Sequence, residues 1–437
     1  MQSSSLVLSQ NRTLRYGTFL YLYVMQGIPS GFALTAVTNY LTAEGLTPQA
    51  LGTFGAVVGL PWAFKFVWGP LVDRFQASAM GRRRPWVLIA QTMAFIASLS
   101  ILLTDDPVTS FSYLAGAFAL HGIFASLQDV SVDALAITIV SPAERGRVNA
   151  FMKGGMVIGQ AIGAAGLSIL IRTVGFHQAA LTQSGILFAF TVITFFIREQ
   201  PNDALVSFRR HPPTQSSEGS GPLRPDWSFG PLLRTLFGAI ITPRNLLIFG
   251  AIALVFISER LFQRVYFIHL IRNLNWSDTS VSVLSGTYGT VLAVVLALAG
   301  GWLSDRIGAH RMLIGVAFVM AVLHVSFSLA APLWANENVA TAGLVVRQTL
   351  EPVFSICALP VLMGLCRKGI EGAQFAFYMA ISNQADVAGI LLSGQLLPYF
   401  SAPTIGVACG VLMAVAMVLA WTMFRRGETS TFVGQVV

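Results

Sequence analysis

Twelve long apolar segments constrain this chain more than any other feature of its sequence. They lie at roughly residues 16–41, 50–72, 85–104, 110–140, 148–171, 178–197, 246–270, 279–303, 311–331, 338–365, 371–396 and 402–424. A helix rises about 1.5 Å per residue, so each segment can cross the roughly 30 Å of a bilayer's hydrocarbon core. With 54% hydrophobic and 11% charged residues, the chain could not cover its apolar surface as a water-soluble globule. The sequence predicts an all-α integral membrane protein with twelve transmembrane helices.

The segments fall into two groups of six, separated by a polar stretch rich in arginine, proline, serine and glycine. This stretch is too polar to cross a membrane or to build a packed core. We expect a cytoplasmic tail at 1–15, a six-helix bundle at 16–198, a cytoplasmic linker at 199–245, a second six-helix bundle at 246–424 and a cytoplasmic tail at 425–437.

The positive charges predict the orientation of the spans. If the amino terminus is cytoplasmic, 20 of the 27 Lys and Arg residues fall in cytoplasmic tails and loops, and the outer loops hold only Arg172 and Arg272. The positive-inside rule therefore places both termini in the cytoplasm. The net charge of +8 then reflects topology. We expect contact with membrane lipid and no binding of nucleic acid.

A compact polar motif follows the second segment and recurs after the eighth. It is built from glycine, an Asp-Arg pair and further arginines, in a chain where charges are scarce. The residues concerned are Gly69, Asp73, Arg74, Gly81, Arg82 and Arg83 in the first copy, and Gly301, Asp305, Arg306, Gly308 and Arg311 in the second. The repetition predicts a chain of two similar halves.

Ten charged residues lie inside the apolar segments. The bases are Lys65, Lys153, Arg260, Arg264 and Arg347, and the acids are Asp129, Asp133, Glu259, Glu351 and Asp386. A lone charge at the centre of a bilayer costs about 2.5–3.5 kcal/mol even on the most lenient scale. These residues must therefore pair, change protonation or face a watery cavity, and they are the candidates for a route taken by solute and protons.

Asp129 and Asp133 are four residues apart, so their carboxylates lie on one face of the fourth segment. Two like charges this close disfavour simultaneous ionisation, which suits a group that exchanges a proton. Lys65 and Lys153 could instead neutralise both acids. We expect Lys65 to pair with one aspartate and to leave the other free to titrate.

Arg260 and Arg264 share a face of the seventh segment without a local acid able to neutralise both. Two cations facing a cavity suit an anionic or carboxylate-bearing solute. The alternative is pairing with Asp386 or with another helix. For Arg347, Glu351 lies one turn further along, and a local ion pair is the simplest expectation.

Other features favour structural roles and no enzymatic chemistry. Gly155, Gly159 and Gly163 recur every four residues, which is typical of close helix packing, with a rocking hinge as the alternative. The three cysteines lack the spacing of metal ligands, and no glycine-rich phosphate loop is present. We expect no metal, no cofactor and no catalytic activity.

Two strings of residues carry a resemblance to a known family. These are Phe64-Lys65-Phe66 followed by Trp68, Pro70 and Asp73-Arg74, and Gln128-Asp129 followed by Asp133-Ala134 and Pro142-Ala143-Glu144-Arg145-Gly146. With six plus six segments, they resemble the major facilitator superfamily and, within it, the AmpG branch. That branch also takes in acetyl-CoA transporters and RhtX/FptX-type siderophore permeases. In the first copy of the motif, residues 75–80 separate Asp73-Arg74 from Gly81, whereas the second copy keeps the tight spacing of the family.

The resemblance implies two pseudo-symmetric bundles that work by alternating access, and an Asp-Arg loop that latches cytoplasmic helix ends. It implies proton-coupled import of a bulky, partly anionic solute, such as a muropeptide or a ferri-siderophore, by a monomer in a bacterial inner membrane. The chain ends after twelve spans, whereas AmpG itself has more, which favours the siderophore side. Transport of acetyl-CoA or another small metabolite, export of drugs or metabolites, and a non-transporting sensor are the alternatives.

Overall fold

The computed structural model describes residues 6–74, 78–141, 144–207, 238, 241–366 and 371–433. This part of the chain contains sixteen α-helices, which we number in chain order: α1 (Arg12–Gly31), α2 (Thr38–Ala43), α3 (Pro48–Ala63), α4 (Trp68–Arg74), α5 (Arg84–Leu99), α6 (Phe111–Ile139), α7 (Arg145–Ala161), α8 (Leu167–Val174), α9 (Phe176–Phe196), α10 (Pro243–Arg272), α11 (Asp278–Leu284), α12 (Thr290–Ile307), α13 (Ala309–Leu329), α14 (Glu337–Gly364), α15 (Glu371–Leu396) and α16 (Ala402–Val433).

The predicted all-α membrane fold is confirmed. Within the described residues there is no strand, and the nearest approach to one is an isolated bridge between Val7 and Arg198. Ten helical stretches there are long and apolar enough to cross a membrane. The predicted segments at 279–303 and 371–396 are occupied by α11 to α12 and by α15, helices in which some side chains lie outside the described residues. Helix is the expected state because lipid cannot satisfy free backbone polar groups.

In the described part of the chain, three spans contain a π-helical segment between α-helical parts. These segments are Phe32–Val37 between α1 and α2, Ile162–Gly166 between α7 and α8, and Ser285–Gly289 between α11 and α12. A π-helical turn inserts one residue into the helix without ending it, so the side chains beyond it face a different direction. Each of these spans therefore presents different faces in its two halves.

By contact, the chain forms two compact units. The first comprises Met1–Leu46, Val57–Gly219 and Ser277–Gly286, and the second comprises Thr47–Ala56, Ser220–Trp276 and Thr287–Val437. The core of the first unit contains buried residues such as Phe19, Leu22, Val132 and Leu135. That of the second contains Ile248, Ile252, Phe354, Cys357 and Met413, together with neighbouring residues of α10, α13, α14 and α16.

Large apolar side chains also lie on the outer surface. Leu103, Ile137, Val291 and Leu329 each expose between 65% and 73% of their surface. A water-soluble protein rarely exposes so many large apolar side chains, whereas a lipid-facing surface requires them. The exposed residues therefore agree with a chain that lies in a bilayer.

The glycine ladder, which runs from α7 into the π-helical segment after it, packs directly against the first span. A β-carbon at Gly155, Gly159 or Gly163 would collide with the backbone carbonyl oxygen of Leu20, Val24 or Ile28, respectively. Absence of side chains lets the two backbones approach at this place. The geometry supports the packing role that the sequence favoured for these glycines.

Two glycines of the repeated motif share an unusual backbone conformation. Gly81 has φ +110° and Gly308 has φ +95°, a region that residues with a β-carbon rarely adopt. Gly308 immediately precedes α13, and Gly81 lies three residues before α5. Glycine is thus required in each copy where the loop turns into the next helix.

Candidate functional site

The first unit contains a buried ion pair within the membrane-spanning region. Lys65, in a short 3₁₀ turn after α3, places its Nζ 2.9 Å from Oδ2 of Asp129 on α6. The Asp129 side chain is 6% exposed and that of Lys65 is 28% exposed. Trp68, which begins α4, donates its indole N–H to the Ser126 hydroxyl at 2.9 Å and connects the same two segments one turn away. Lys65 is therefore held against one of the two aspartates on α6.

Asp133, the second aspartate on this face, has a different environment. The Tyr23 hydroxyl on α1 donates a hydrogen bond to Oδ1 of Asp133 at 2.5 Å, and Tyr23 itself is buried. Among the described residues, no cation lies within ion-pair distance of Asp133. Lys153 on α7 is exposed and likewise has no ion-pair partner in that part of the chain. The two carboxylates thus differ, because one is neutralised by a base and the other is held by a hydroxyl group.

Glu199, just after α9, organises the first copy of the repeated motif. Its carboxylate accepts the backbone N–H groups of Arg82 at 2.8 Å and Arg83 at 2.6 Å, and also that of Arg84. N–H groups at the start of a helix such as α5 have no acceptor within the helix, and a negative charge is favourable there. Burial raises the pKa of the Glu199 carboxyl, and the three N–H bonds act in the opposite direction. A β-carbon at Gly81 would contact this same carboxylate.

Arg83 of the motif and the adjacent Arg84 bind backbone carbonyl groups. Arg83 Nη1 donates to the carbonyl of Val72 at 3.0 Å, and Arg84 Nη1 donates to that of Ala204 at 3.0 Å. Gly69 lies within α4 with open space where a β-carbon would be. The arginines therefore fasten the end of α4 and the chain after α9 to the start of α5.

Several motif residues lie outside what the structure describes. The roles predicted for Asp73, Arg74, Gly301 and Asp305 rest on the sequence alone. The side chains of the three charged residues and the surroundings of Gly301 lie outside what the structure describes. Arg306 and Arg311 are exposed. For the second copy, the main feature that the structure describes is therefore the backbone conformation of Gly308.

In the second unit, Arg260 on α10 is held between two acids. Its Nε lies 3.3 Å from Oδ1 of Asp386 on α15, and its Nη2 lies 3.4 Å from Oε2 of Glu351 on α14. Its Nη1 also donates to Oε1 of Gln263 at 2.8 Å. The side chain of Gln263 in turn donates to Gln348. The sequence left two alternatives for Arg260, namely binding of an anionic solute in a cavity or pairing with an acid on another helix. In the structure, Arg260 is paired with acids from two other helices.

The expected local pair between Arg347 and Glu351 is wrong. Arg347 is 3% exposed, its guanidinium carbon lies 4.0 Å from the ring centroid of Phe262, and its Nη1 lies 3.2 Å from Nε2 of His324. That same Nε2 lies 3.2 Å from Oε2 of Glu259. Arg347 therefore contacts aromatic rings and His324, whereas Glu351 pairs with Arg260.

Arg264, one turn beyond Arg260, is 7% exposed. No carboxylate among the described residues lies within ion-pair distance of it, and its Nε is buried without a hydrogen-bond partner there. An open recess of about 70 Å³ lies within the same unit, lined by Phe256, Glu351, Ser355, Met379, Asn383 and Asp386 together with apolar neighbours. Both acids that pair with Arg260 therefore line this recess.

Three important partners were not assigned from the sequence. The bond of Tyr23 to Asp133 depends on the packing of α1 on α6, and the contact of His324 with Arg347 depends on the packing of α13 on α14. Glu199 falls in the linker that the sequence predicts at 199–245. A signal for Glu199 existed, since an acid just after the sixth span can cap the basic loop before α5. Among the described residues, no group of three His, Cys, Asp or Glu could hold a metal ion.

Comparison with known proteins identifies the family. Residues 17–263 and 248–433 match the Major Facilitator Superfamily. The anhydromuropeptide permease of Escherichia coli (strain K12) is 24% identical over 377 residues, which is 84% of this chain and 71% of the relative. The putative transporter AmpG 4 of Rickettsia conorii is 24% identical over 86% of this chain and 88% of its own length.

Solved structures show the same fold. The nucleoside transporter NupG aligns with a TM-score of 0.70 at 13% identity, covering 94% of this chain and 98% of its own. A bacterial homologue of the human lysosomal transporter Spinster, in an inward-facing and unoccupied conformation, aligns with a TM-score of 0.71 at 14% identity. The alignment covers 95% of this chain and 97% of the homologue. This chain is therefore an integral membrane protein with similarity to AmpG-type permeases, and it belongs to the major facilitator superfamily.

Proposed function

We propose that this protein is a proton-coupled importer of the bacterial inner membrane that moves a bulky, partly anionic solute by alternating access. The observation that carries this proposal is the unequal environment of the two aspartates on α6. Lys65 neutralises Asp129, whereas Asp133 has a hydrogen bond from Tyr23 and no described ion pair. A carboxyl group in a membrane span that lacks a fixed counter-ion can take up and release a proton at low cost.

Anhydromuropeptide is the favoured solute because a relative similar over most of the chain carries that name. A ferri-siderophore is the second candidate and rests on the family resemblance alone. We infer a monomer with both termini in the cytoplasm, in which the Asp-Arg loops latch helix ends between transport states. The arginines of these loops set the rate of the conformational change, and the charges inside the spans recognise the solute.

Uptake into right-side-out membrane vesicles tests the proton coupling. With acidic buffer outside, the wild-type protein should accumulate labelled anhydromuropeptide against its gradient. The Asp133→Asn variant should lose accumulation but retain exchange of internal for external solute, because exchange requires no net proton movement. Thr138→Val, at an exposed position on the same helix, is the matched control and should accumulate solute normally. Unchanged pH-driven accumulation by Asp133→Asn would refute the assignment of Asp133.

A deletion strain tests the solute. Growth on ferri-siderophores and recycling of cell-wall muropeptides should be measured side by side, with and without the gene supplied in trans. Loss of muropeptide recycling alone supports the favoured substrate, and loss of siderophore use alone supports the second. Binding of solute to purified protein in liposomes without flux would show that it is a sensor.

A further inference from the structure

Arg264 is a buried cation with no acidic partner among the described residues of the second unit. It lies on α10 four residues after Arg260, so the two guanidinium groups share a face of the helix. Arg264 is 7% exposed, and its Nε has no hydrogen-bond partner among the described residues. The nearest strong charge on its own helix is therefore another cation.

None of the three acids inside the described spans of the second half lies within ion-pair distance of Arg264. Asp386 and Glu351 both lie within 3.4 Å of Arg260. Glu259 lies 3.2 Å from the ring of His324, which also contacts Arg347. The spans of the second half contain three internal acids and three internal bases, so neutral pairing was available to every one of them. In the observed arrangement, Arg260 pairs with two acids, whereas Arg264 has no acidic partner among the described residues.

An unpaired buried charge destabilises a protein, and such residues are retained where function requires them. Guanidinium presents a planar fork of donors that matches the two oxygens of a carboxylate or phosphate. We propose that Arg264 is the anchor for an oxyanionic group, a carboxylate or phosphate, on the transported solute. This inference rests on the proposed transport function and assigns its anion specificity to one residue.

A recess of the same unit, lined by the two acids that pair with Arg260, indicates what else the solute must carry. Glu351 and Asp386 line it, and their carboxylates repel a second oxyanion and accept hydrogen bonds from hydroxyl, amide or ammonium groups. Arg260 is committed to these acids and contributes less to anion binding than Arg264. The solute class is therefore one that joins an oxyanion to hydrogen-bond donors, rather than a simple polyanion.

Thermal unfolding of the purified protein without solute provides the first test. Arg264→Gln removes an uncompensated charge and should raise the unfolding temperature by roughly 2 °C. Arg260→Gln, the matched control, leaves two acids without their base and should lower it. A failure of Arg264→Gln to fold, or a fall equal to that of Arg260→Gln, would show that Arg264 has a structural partner and would overturn the proposal.

Uptake of paired solutes provides the second test. Labelled anhydromuropeptide is compared with the same molecule after its carboxyl groups are converted to amides. Arg264→Gln should reduce the apparent affinity for the acid form about 10- to 100-fold and leave that for the amide form unchanged. Arg264→Lys should restore part of the affinity for the acid form, because it keeps the charge without the planar fork. Equal losses for both forms would refute the role of Arg264.

The two tests separate the inference from the proposed function. If the wild-type protein takes up neither form, the proposed solute is wrong, and the unfolding temperatures alone decide whether Arg264 is unpaired. If the wild-type protein takes up both forms and Arg264→Gln behaves like it, the proposed function stands and the anchor assignment is wrong.

Discussion

The pair between Lys65 and Asp129 can be tested by a double-mutant cycle. The atoms are 2.9 Å apart, and at an effective dielectric constant of 20 the attraction between the charges is about 6 kcal/mol. Desolvation of the Asp129 carboxylate, 6% exposed, offsets several kcal/mol of this. The Lys65 side chain is 28% exposed and keeps part of its hydration. We therefore expect a coupling free energy of about 2 kcal/mol between the two residues.

The single variants should not be equally destabilised. Lys65→Gln leaves the more buried charge, that of Asp129, without its base and should lower the free energy of unfolding by about 3 kcal/mol. Asp129→Asn leaves the more exposed lysine and should lower it by about 2 kcal/mol. In the double variant two neutral amides replace the ions, so the loss should be smaller than the sum of the single losses.

Reversible unfolding in mixed micelles, with sodium dodecyl sulfate as denaturant and tryptophan fluorescence as the signal, measures these differences. Lys153→Gln is the matched control, since this lysine is exposed and has no described ion pair. It should change the free energy of unfolding by less than about 0.5 kcal/mol. Additivity of the Lys65 and Asp129 variants within about 0.5 kcal/mol would refute a direct pair.

Two further predictions concern the packing around the site. Glu199→Ala leaves three N–H groups at the start of α5 without their acceptor and should lower the free energy of unfolding by about 3 kcal/mol, whereas an unchanged unfolding transition would show that water replaces the carboxylate. Gly159→Ala pushes a β-carbon into the carbonyl of Val24 and should cost about 1–3 kcal/mol. Gly154→Ala on the same helix meets open space and should be neutral or slightly stabilising, and equal effects of the two alanines would exclude the close packing of α1 on α7.

Local residue spacing predicted some contacts and failed for others. The four-residue spacing of the α7 glycines predicted a packed face, because small residues on one helical face let backbones approach whichever helix lies opposite. The same spacing argument failed for Arg347 and Glu351. There the competing attraction came from Phe262 and His324, which lie on α10 and α13 and are distant in sequence.

By itself, the sequence determined that the chain lies in a membrane as two groups of helices, with Asp129, Asp133 and Arg264 among the charges inside them. The reason is that insertion of a segment into lipid depends on its length and apolar composition, which can be counted along the sequence. The free-energy cost of a charge inside such a segment is likewise evident from its position in the sequence. Only the tertiary structure decided which charges neutralise one another. Lys65 pairs with Asp129, and Arg260 pairs with both Glu351 and Asp386. Arg264 has no acidic partner in the described part of the chain. These partners come from separate helices, and their distances depend on packing that no local spacing encodes.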